Sequence, residues 1–308
     1  MGALAAAVVV PHVRRQLRIP AAVTVASTVG APLAISVLWP RSKKRDIALF
    51  FGQMWAFAVS HELPYDDPER LRERLRIQYP ITIDRWIGRG SLPNARLQRA
   101  IHAGPAGPTV TKIAAWAHWL WFIEPYMAMF WILIRKNRMF PQSARQMAAT
   151  FDLGCALYFL VPTAPPWWAS QNGYIREVIP HEADHQVDES VRRVMVEFGE
   201  DLWGPSWTRI FGTLNGNPWA AMPSLHFATA VMAAILVSDA GGKVEGAVAW
   251  IYAGTLGFSL VYLGEHYVTD LLAGAGIVAL ARNAEPLARP LARLVNNRVR
   301  RLEAIAAN

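Results

Sequence analysis

Cysteine is nearly absent from this sequence, since Cys155 is the one cysteine among 308 residues. A single cysteine excludes an intrachain disulfide framework. The sequence also lacks internal repeats, low-complexity tracts and Gly/Ser-rich linkers, so we expect one domain. The N-terminal stretch has no basic region ahead of its apolar residues and is therefore a poor match to a cleavable signal peptide. Insertion into a membrane is expected to depend on the helices themselves.

Apolar residues are abundant instead. Hydrophobic residues make up 53% of the chain, there are 13 tryptophans, and the mean hydropathy is +0.18. Soluble domains rarely have this composition, and a bilayer core of about 30 Å is spanned by about 20 apolar residues. The pattern predicts an all-α polytopic membrane protein with six or seven transmembrane helices. Five candidate spans are clear and two upstream ones are weaker: 113–134, 144–161, 219–238, 246–264 and 268–281, then 21–39 and 47–63.

The net charge of +8 is concentrated in particular segments. Basic residues favour the cytoplasmic side of a membrane, which places the 135–145 loop, the 41–45 loop and the C-terminal tail inside. The long segment 162–218 and the turn at His266 are then expected at the outer face of a plasma membrane. Segment 69–112 conflicts with this rule because it carries nine Arg and Lys residues. Its 69–80 portion predicts an amphipathic helix lying on the membrane surface.

This topology divides the chain into three parts. Residues 1–46 form an N-terminal segment with one candidate transmembrane helix, whose basic neighbours Arg14, Arg15 and Arg18 conflict with the charge rule if 21–39 spans. Residues 47–284 form the catalytic membrane domain, and 285–308 form a basic cytoplasmic tail. The tail arginines indicate orientation and contact with anionic membrane lipids, and no nucleic-acid partner is expected.

The first candidate functional motif is PSLH at 223–226. Turn residues precede it and a long apolar run follows, so Pro223, Ser224 and His226 are expected at a helix N-terminus. Free backbone N–H groups and the helix dipole make such a position suitable for a phosphate, and Ser224 adds a hydroxyl donor. The motif predicts phosphate binding without a metal.

The second motif is HYVTD at 266–270, which also begins an apolar run. A spacing of four residues stacks His266 and Asp270 on one helix face, where the carboxylate holds one imidazole nitrogen and leaves the other available. We expect His266 to attack phosphorus, Asp270 to orient it, and His226 to protonate the departing oxygen. No cofactor and no metal is expected. An isolated histidine at a helix end is often a simple interfacial hydrogen-bonder, but the combination favours catalysis.

These motifs resemble those of the phosphatidic acid phosphatase type 2 superfamily, which has PSxH at one helix start and HxxxD at a later one. VPTAPPWW at 161–168, SLPNARLQ at 91–98 and MPSLHF resemble the branch that contains inositol phosphorylceramide synthase. The resemblance covers about 81–281. It implies a six-helix core, an outward-facing site, a phosphohistidine-like intermediate and no metal. The substrate would be a lipid phosphate or phospholipid of the outer leaflet, with water or an alcohol as acceptor.

The sequence departs from the phosphatase branch where that branch has phosphate-binding cations. PTAPPWW replaces the KxxxxxxRP motif, and Ser259 is followed by Leu260 instead of arginine. Arg176 and Arg209 in the outer segment are the candidate substitutes. Trp167 and Trp168 suit a lid at the headgroup level and are candidate substrate contacts. Because the missing cations bind a phosphate monoester, their absence favours a phosphodiester donor and transferase chemistry.

Two other functions compete with this interpretation. His181, Glu182 and His185 match the HExxH pattern of zinc proteases, although their neighbours are polar and the third ligand, Asp188 or Glu189, is not obvious. The intramembrane polar residues His118, Glu124 and Asp152 are compatible with a transporter or flippase. Inverted repeats, which would support transport, are not evident.

Overall fold

A computed structural model describes residues 2–102, 104–175, 191–209 and 217–306, and these residues are almost entirely helical. Within them, extended pairing is limited to two isolated bridges, at Arg76–Thr163 and Thr163–Ala220. The predicted all-α class is confirmed. The helices are α1 Gly2–Val13, α2 Ala21–Leu38, α3 Lys43–Glu62, α4 Pro68–Glu73, α5 Gln78–Ile87, α6 Pro93–His102, α7 Gly107–Leu120, α8 Glu124–Arg135, α9 Phe140–Leu160, α10 Pro166–Gln171, α11 Val194–Trp203, α12 Leu225–Ala240, α13 Lys243–Tyr262 and α14 Val268–Ala306.

The core is built around α12, which is buried along most of its length and packs against α8, α9, α13 and α14. Small residues make this possible: Ala228, Ala230, Ala233 and Ala234 are all fully buried. Close approach through small side chains is how helices pack in a bilayer, where lipid is as apolar as the helix surface. The helices around α12 therefore position whatever lies at its N-terminal end.

The candidate span 113–134 consists of two helices, α7 and α8, which meet at an angle of 56°. Glu124 and Pro125 begin α8 at this break, and proline cannot supply the N–H that a continuous helix needs. Among the described residues, α2 and α13 are long and apolar enough to cross a membrane by themselves, and the α7–α8 pair meets the same test when taken as one span. α12 is apolar but only 16 residues long, and α3 begins with four charged residues.

Other boundaries also differ from the sequence-based expectations. The span expected from residue 219 begins as helix only at Leu225, because Trp219–Ser224 form the turn before it. The amphipathic helix expected over 69–80 is interrupted: α4 ends at Glu73 and Arg76 pairs with the 162–164 segment before α5 begins. α14 continues for 39 residues through the predicted tail.

The loops predicted to be cytoplasmic lie together at one end of the molecule. Arg145 pairs with Glu285 at 2.7 Å, Arg282 with Asp239 at 2.7 Å, and Arg45 with Glu303 at 2.8 Å. The starts of α12 and α14 lie at the other end, where α13 terminates. The helix starts that carry the two motifs and the basic loops thus lie at opposite ends of the helix bundle.

Candidate active site

His226, His266 and Asp270 form a continuous chain of contacts at the starts of α12 and α14. The Nε2 atom of His266 lies 3.3 Å from Nδ1 of His226, and its Nδ1 lies 3.3 Å from Oδ2 of Asp270. The same carboxylate oxygen accepts a 2.9 Å hydrogen bond from the Tyr267 backbone N–H. Asp270 is fully buried and His266 is 5% exposed. The arrangement fixes the ring of His266 and directs its second nitrogen at His226.

The two helix starts are joined directly through their backbones. The N–H of Ser224 donates to the carbonyl of Asp270 at 2.9 Å, and the Ser224 hydroxyl accepts from the N–H of Phe227, which caps α12. Gly274 lies against this junction, and a Cβ there would stand 2.7 Å from the Ser224 carbonyl oxygen. Glycine is therefore required for α14 to approach the start of α12 this closely.

The turn that carries His266 is fixed by two amide side chains from α6. Asn94 donates to the carbonyls of Val261 at 2.7 Å and His266 at 2.9 Å. Gln98 donates to the carbonyl of Tyr262 at 2.8 Å. Gly264 lies within this turn at φ +79°, a conformation that side chains rarely adopt. Both amides belong to the SLPNARLQ stretch, so that stretch holds the turn that carries His266.

Asp84 caps the start of α14. Its carboxylate accepts hydrogen bonds from the backbone N–H groups of Val268, at 2.8 Å, and Thr269, at 2.9 Å, and from the Thr269 hydroxyl. Burial raises the pKa of Asp84, and these hydrogen bonds act in the opposite direction. A carboxylate at this position satisfies helix N–H groups that would otherwise lack partners. α5 thereby fixes the start of α14, while α6 fixes the turn before it.

A cavity of about 250 Å³ opens beside the histidines. Its walls are mostly apolar and aromatic, with His226, His266 and Glu265 at one side and His61 and Glu62 of α3 at another. The remaining described lining residues are Phe57, Ala58, Trp121, Phe122, Pro125, Tyr126, Phe151, Tyr158, Pro165, Trp167, Asn217, Pro218, Ala220, Ala221 and Leu225. A polar end and an apolar wall suit an amphiphilic ligand.

Aromatic rings enclose His226. The ring centroid of Trp121, the residue after α7, lies 4.1 Å from that of His226, and the centroid of His118, in the last turn of α7, lies 4.8 Å away. The Trp121 indole donates to Thr229 at 2.8 Å, which anchors the α7–α8 break on α12. His118 was considered from sequence only as a transport residue, because a histidine more than a hundred positions from the PSLH motif gives no signal of this contact.

An ion pair that the sequence did not indicate lies at the rim of the cavity. Arg193 binds Glu265 through two hydrogen bonds of 2.8 and 3.2 Å, and its guanidinium carbon lies 3.9 Å above the Trp167 ring. Glu265 precedes His266 and is 8% exposed. The guanidinium is planar and always charged, so it is suited to bind a phosphate as well as a carboxylate.

The other predicted site residues are distributed around this centre. Trp167 lines the cavity, whereas Trp168 packs against Trp219 with a centroid distance of 6.0 Å. The Pro223 carbonyl accepts from the Tyr158 hydroxyl at 2.8 Å. Arg209 is exposed and does not belong to the cavity wall. Arg176 lies outside the described residues.

The next residues are those of the zinc-protease interpretation. His181, Glu182, His185, Asp188 and Glu189 all lie outside the described residues. In the described ranges, no three His, Cys, Asp or Glu side chains are grouped as metal ligands.

The remaining two polar residues proposed for transport have local positions. Asp152 accepts from the Gln53 amide at 3.0 Å, which joins α9 to α3. Glu124 is the first residue of α8, at the break.

The family of the chain follows from comparison with known proteins. The family model of the PAP2 superfamily matches residues 84–283, which begin at the α14 cap and include both histidines. The chain therefore belongs to the PAP2 superfamily. The polytopic helical fold and the lipid phosphatase or phosphotransferase class expected from the sequence agree with this membership.

One protein with a curated name is similar to part of this chain. The phosphoinositol dihydroceramide synthase of Bacteroides thetaiotaomicron is 30% identical to this chain over 130 residues, which is 42% of this chain and 39% of that protein. The match thus spans well under half of the relative's length. No solved structure is significantly similar to the chain.

Proposed function

We propose that the protein is a membrane lipid phosphotransferase that moves a phosphoalcohol group from a phospholipid to an alcohol through a covalent intermediate on His266. The observation that carries this proposal is the Asp270–His266–His226 contact chain in the wall of an amphiphilic cavity. Membership of the PAP2 superfamily supports an enzyme that acts on a lipid phosphate. Asp270, His266 and His226 each have a separate role in this reaction.

In the first step, Nε2 of His266 attacks phosphorus and the bond from phosphorus to the lipid oxygen breaks. Asp270 accepts the Nδ1 proton of His266 in a hydrogen bond and stabilises the positive charge that develops on the ring. His226 donates a proton to the departing oxygen, which leaves as the lipid alcohol. The products are a phosphohistidine that carries the headgroup and a neutral His226.

In the second step, His226 removes the proton of an acceptor hydroxyl, whose oxygen attacks phosphorus. The bond between phosphorus and Nε2 of His266 breaks, and His266 returns to its starting state. His226 ends the cycle protonated, as it began. The identity of the acceptor alone decides whether the reaction is transfer to an alcohol or hydrolysis by water.

The phosphate contacts are proposed to come from the start of α12 and from Arg193. Backbone N–H groups in the first turn of a helix bind anions, and Ser224 fixes that turn as its cap. We assign to Arg193 the role for which Arg176 and Arg209 were candidates, because its guanidinium contacts Glu265 and Trp167, two residues of the cavity wall. Binding of the phosphate would exchange the carboxylate of Glu265 for a phosphate oxygen.

Transfer is favoured over hydrolysis for two reasons. The chain lacks the Lys and Arg motifs expected for a terminal phosphate, and its relative is named as a synthase of phosphoinositol dihydroceramide. A phosphodiester donor with an inositol headgroup is thus the first substrate to test. The site is proposed to face the outer side of a plasma membrane, since the basic loops are gathered at the opposite end.

The test incubates the purified full-length protein in vesicles with labelled phosphatidylinositol, with and without a ceramide or another lipid alcohol, and identifies the products by mass spectrometry. We expect a new phosphodiester that appears only with the alcohol, and no product with His266→Ala. Free inositol phosphate as the product without an alcohol would make the protein a hydrolase. Equal turnover by His266→Ala would refute the histidine mechanism.

A further inference from the structure

A second cavity, of about 520 Å³, lies between α3 and α8 below the candidate active site. The described residues that form its wall are apolar or aromatic, among them Ile47 and Phe50 of α3 and Met127, Phe130 and Ile134 of α8. Met127, Phe130 and Ile134 are each about half exposed or more, so the cavity is a groove open at the outer surface of the helix bundle. In a membrane this surface contacts lipid chains.

The groove and the active-site cavity share a wall at Tyr126, which lines both. The ring of Tyr126 lies between two rings of α3, stacked on Phe51 at a centroid distance of 5.9 Å and edge-on to Phe50 at the same distance. α3 contributes to both spaces, with Phe57 and His61 above Tyr126 and Ile47 below it. A ligand whose polar end lies at His266 therefore needs only to pass the Tyr126 ring to place an apolar part in the groove.

We propose that this groove binds one acyl chain of the phospholipid donor while its phosphate lies at His266. From Tyr126 to Ile134 the helix rises about 12 Å, close to half of a bilayer core of about 30 Å. The groove thus has the apolar lining that a lipid chain needs and covers most of the depth of one leaflet. The inference rests on the proposed function for the identity of the headgroup.

One wall of the groove lies outside the segment shared with the family. The family match begins at residue 84, whereas α3 spans Lys43–Glu62. α8 and the histidines belong to the matched segment. In this proposal α3, which precedes the family region, selects the acyl chains that can bind while the phosphate lies at His266.

The test uses a phosphatidylinositol with a photoactivatable group near the end of one palmitoyl chain. The probe is added in trace amount to the full-length His266→Ala protein in phosphatidylcholine vesicles, illuminated, and located by peptide mapping. We expect labelling of α8 near Phe130 and of α3 near Ile47 to exceed labelling of α13 near Ile251, which is 69% exposed. Dihexanoyl phosphatidylinositol should remove the excess by displacing the headgroup.

A matched pair of substitutions tests the groove itself. Ile134→Trp fills its far end, whereas Ile251→Trp makes the same change on an exposed face of α13. We expect Ile134→Trp to lose most of the groove labelling and, in the active protein, to shift preference from dipalmitoyl to dihexanoyl donor. Ile251→Trp should change neither. Phe130→Trp, nearer to Tyr126, gives the same test if Ile134→Trp does not fold.

Other outcomes separate the two proposals. Equal labelling of α8 and α13, or an excess that the short-chain lipid does not remove, means contact with bulk lipid only and overturns the groove. Specific labelling together with an absence of turnover in the unsubstituted protein leaves the groove in place and defeats the proposed reaction. Turnover by the unsubstituted protein together with uniform labelling supports the proposed reaction and overturns the groove.

Discussion

The two ends of the helix bundle are stabilised in different ways. At the catalytic end, buried side chains bind backbone groups: Asn94 and Gln98 bind carbonyls of the turn, and Asp84 binds N–H groups of α14. At the opposite end, side chains pair with each other near the surface, as Arg282 does with Asp239. A buried side chain that binds backbone fixes the position of that backbone, whereas an exposed ion pair leaves it adjustable. The candidate catalytic residues are thus located where backbone positions are fixed.

The largest expected effect is the loss of the nucleophile. His266→Ala should lower kcat by roughly 10⁴-fold or more, because catalytic groups that act as a unit fail together. The helical content and melting temperature should change little, since Asp84 and Asn94 act on the turn through its backbone.

His226→Ala should lower kcat by roughly 10² to 10⁴-fold, the usual contribution of a general acid. Turnover measured on phosphatidylinositol, beside circular dichroism, checks both; near-normal turnover by either variant would contradict the assigned roles.

The next effect tests the backbone-binding side chains of the catalytic end. Asn94→Asp keeps the size of the side chain but removes both N–H donors to the carbonyls of Val261 and His266. A buried acceptor left without a donor costs about 1–3 kcal/mol. We expect a lower melting temperature and a lower kcat together. A variant that melts normally but turns over slowly would show that Asn94 acts on the reaction and not on the turn.

A smaller effect is expected at the rim of the cavity. Arg193→Lys keeps the charge but loses the two-point contact with Glu265, so KM for the phospholipid should rise several-fold, roughly the loss of one charged hydrogen bond. Arg192→Lys is the matched control, because Arg192 pairs with the exposed Glu197. Initial rates over a range of lipid fractions separate KM from kcat. An equal response of both variants would argue against a phosphate contact by Arg193.

Inhibitors test the candidate active site without a substitution. Vanadate resembles five-coordinate phosphorus and should inhibit by binding at His266, whereas chelators should leave turnover unchanged. The expected readout is turnover before and after dialysis against a chelator. Activity that is lost on chelation and restored by zinc would transfer the proposed chemistry to His181 and His185.

The smallest effect is expected at the end away from the site. Arg282→Gln removes the pair with Asp239, in which both side chains are more than a third exposed. Such pairs contribute about 0–1 kcal/mol and weaken in salt. Turnover should be unchanged and the melting temperature should move by little. A loss of activity comparable to that of Asn94→Asp would remove the distinction between the two ends.

The sequence predicted local features well and distant contacts poorly. The PSLH and HYVTD motifs each lie within a few residues, so the nearby helix starts and the closeness of His266 to Asp270 were predictable. The expected stacking on one helix face was wrong, because His266 lies in the turn before α14, which begins at Val268. The pairing of Asn94 with His266 joins positions 172 residues apart. Arg193 and His118 are likewise brought to the histidines by folding, and single-sequence patterns carry no record of that. The apolar run at 113–134 predicted one span, which the structure divides into α7 and α8 at Glu124 and Pro125.

The closeness of the two histidines depends on a missing methyl group. A side chain at position 274 would meet the Ser224 carbonyl at 2.7 Å, so even alanine there must push α14 away from α12. The contact between His226 and His266 is already 3.3 Å, and a proton crosses only a short gap. The distance between the two histidines, on which the proposed reaction depends, is thus set by Gly274, a residue that takes no part in the chemistry.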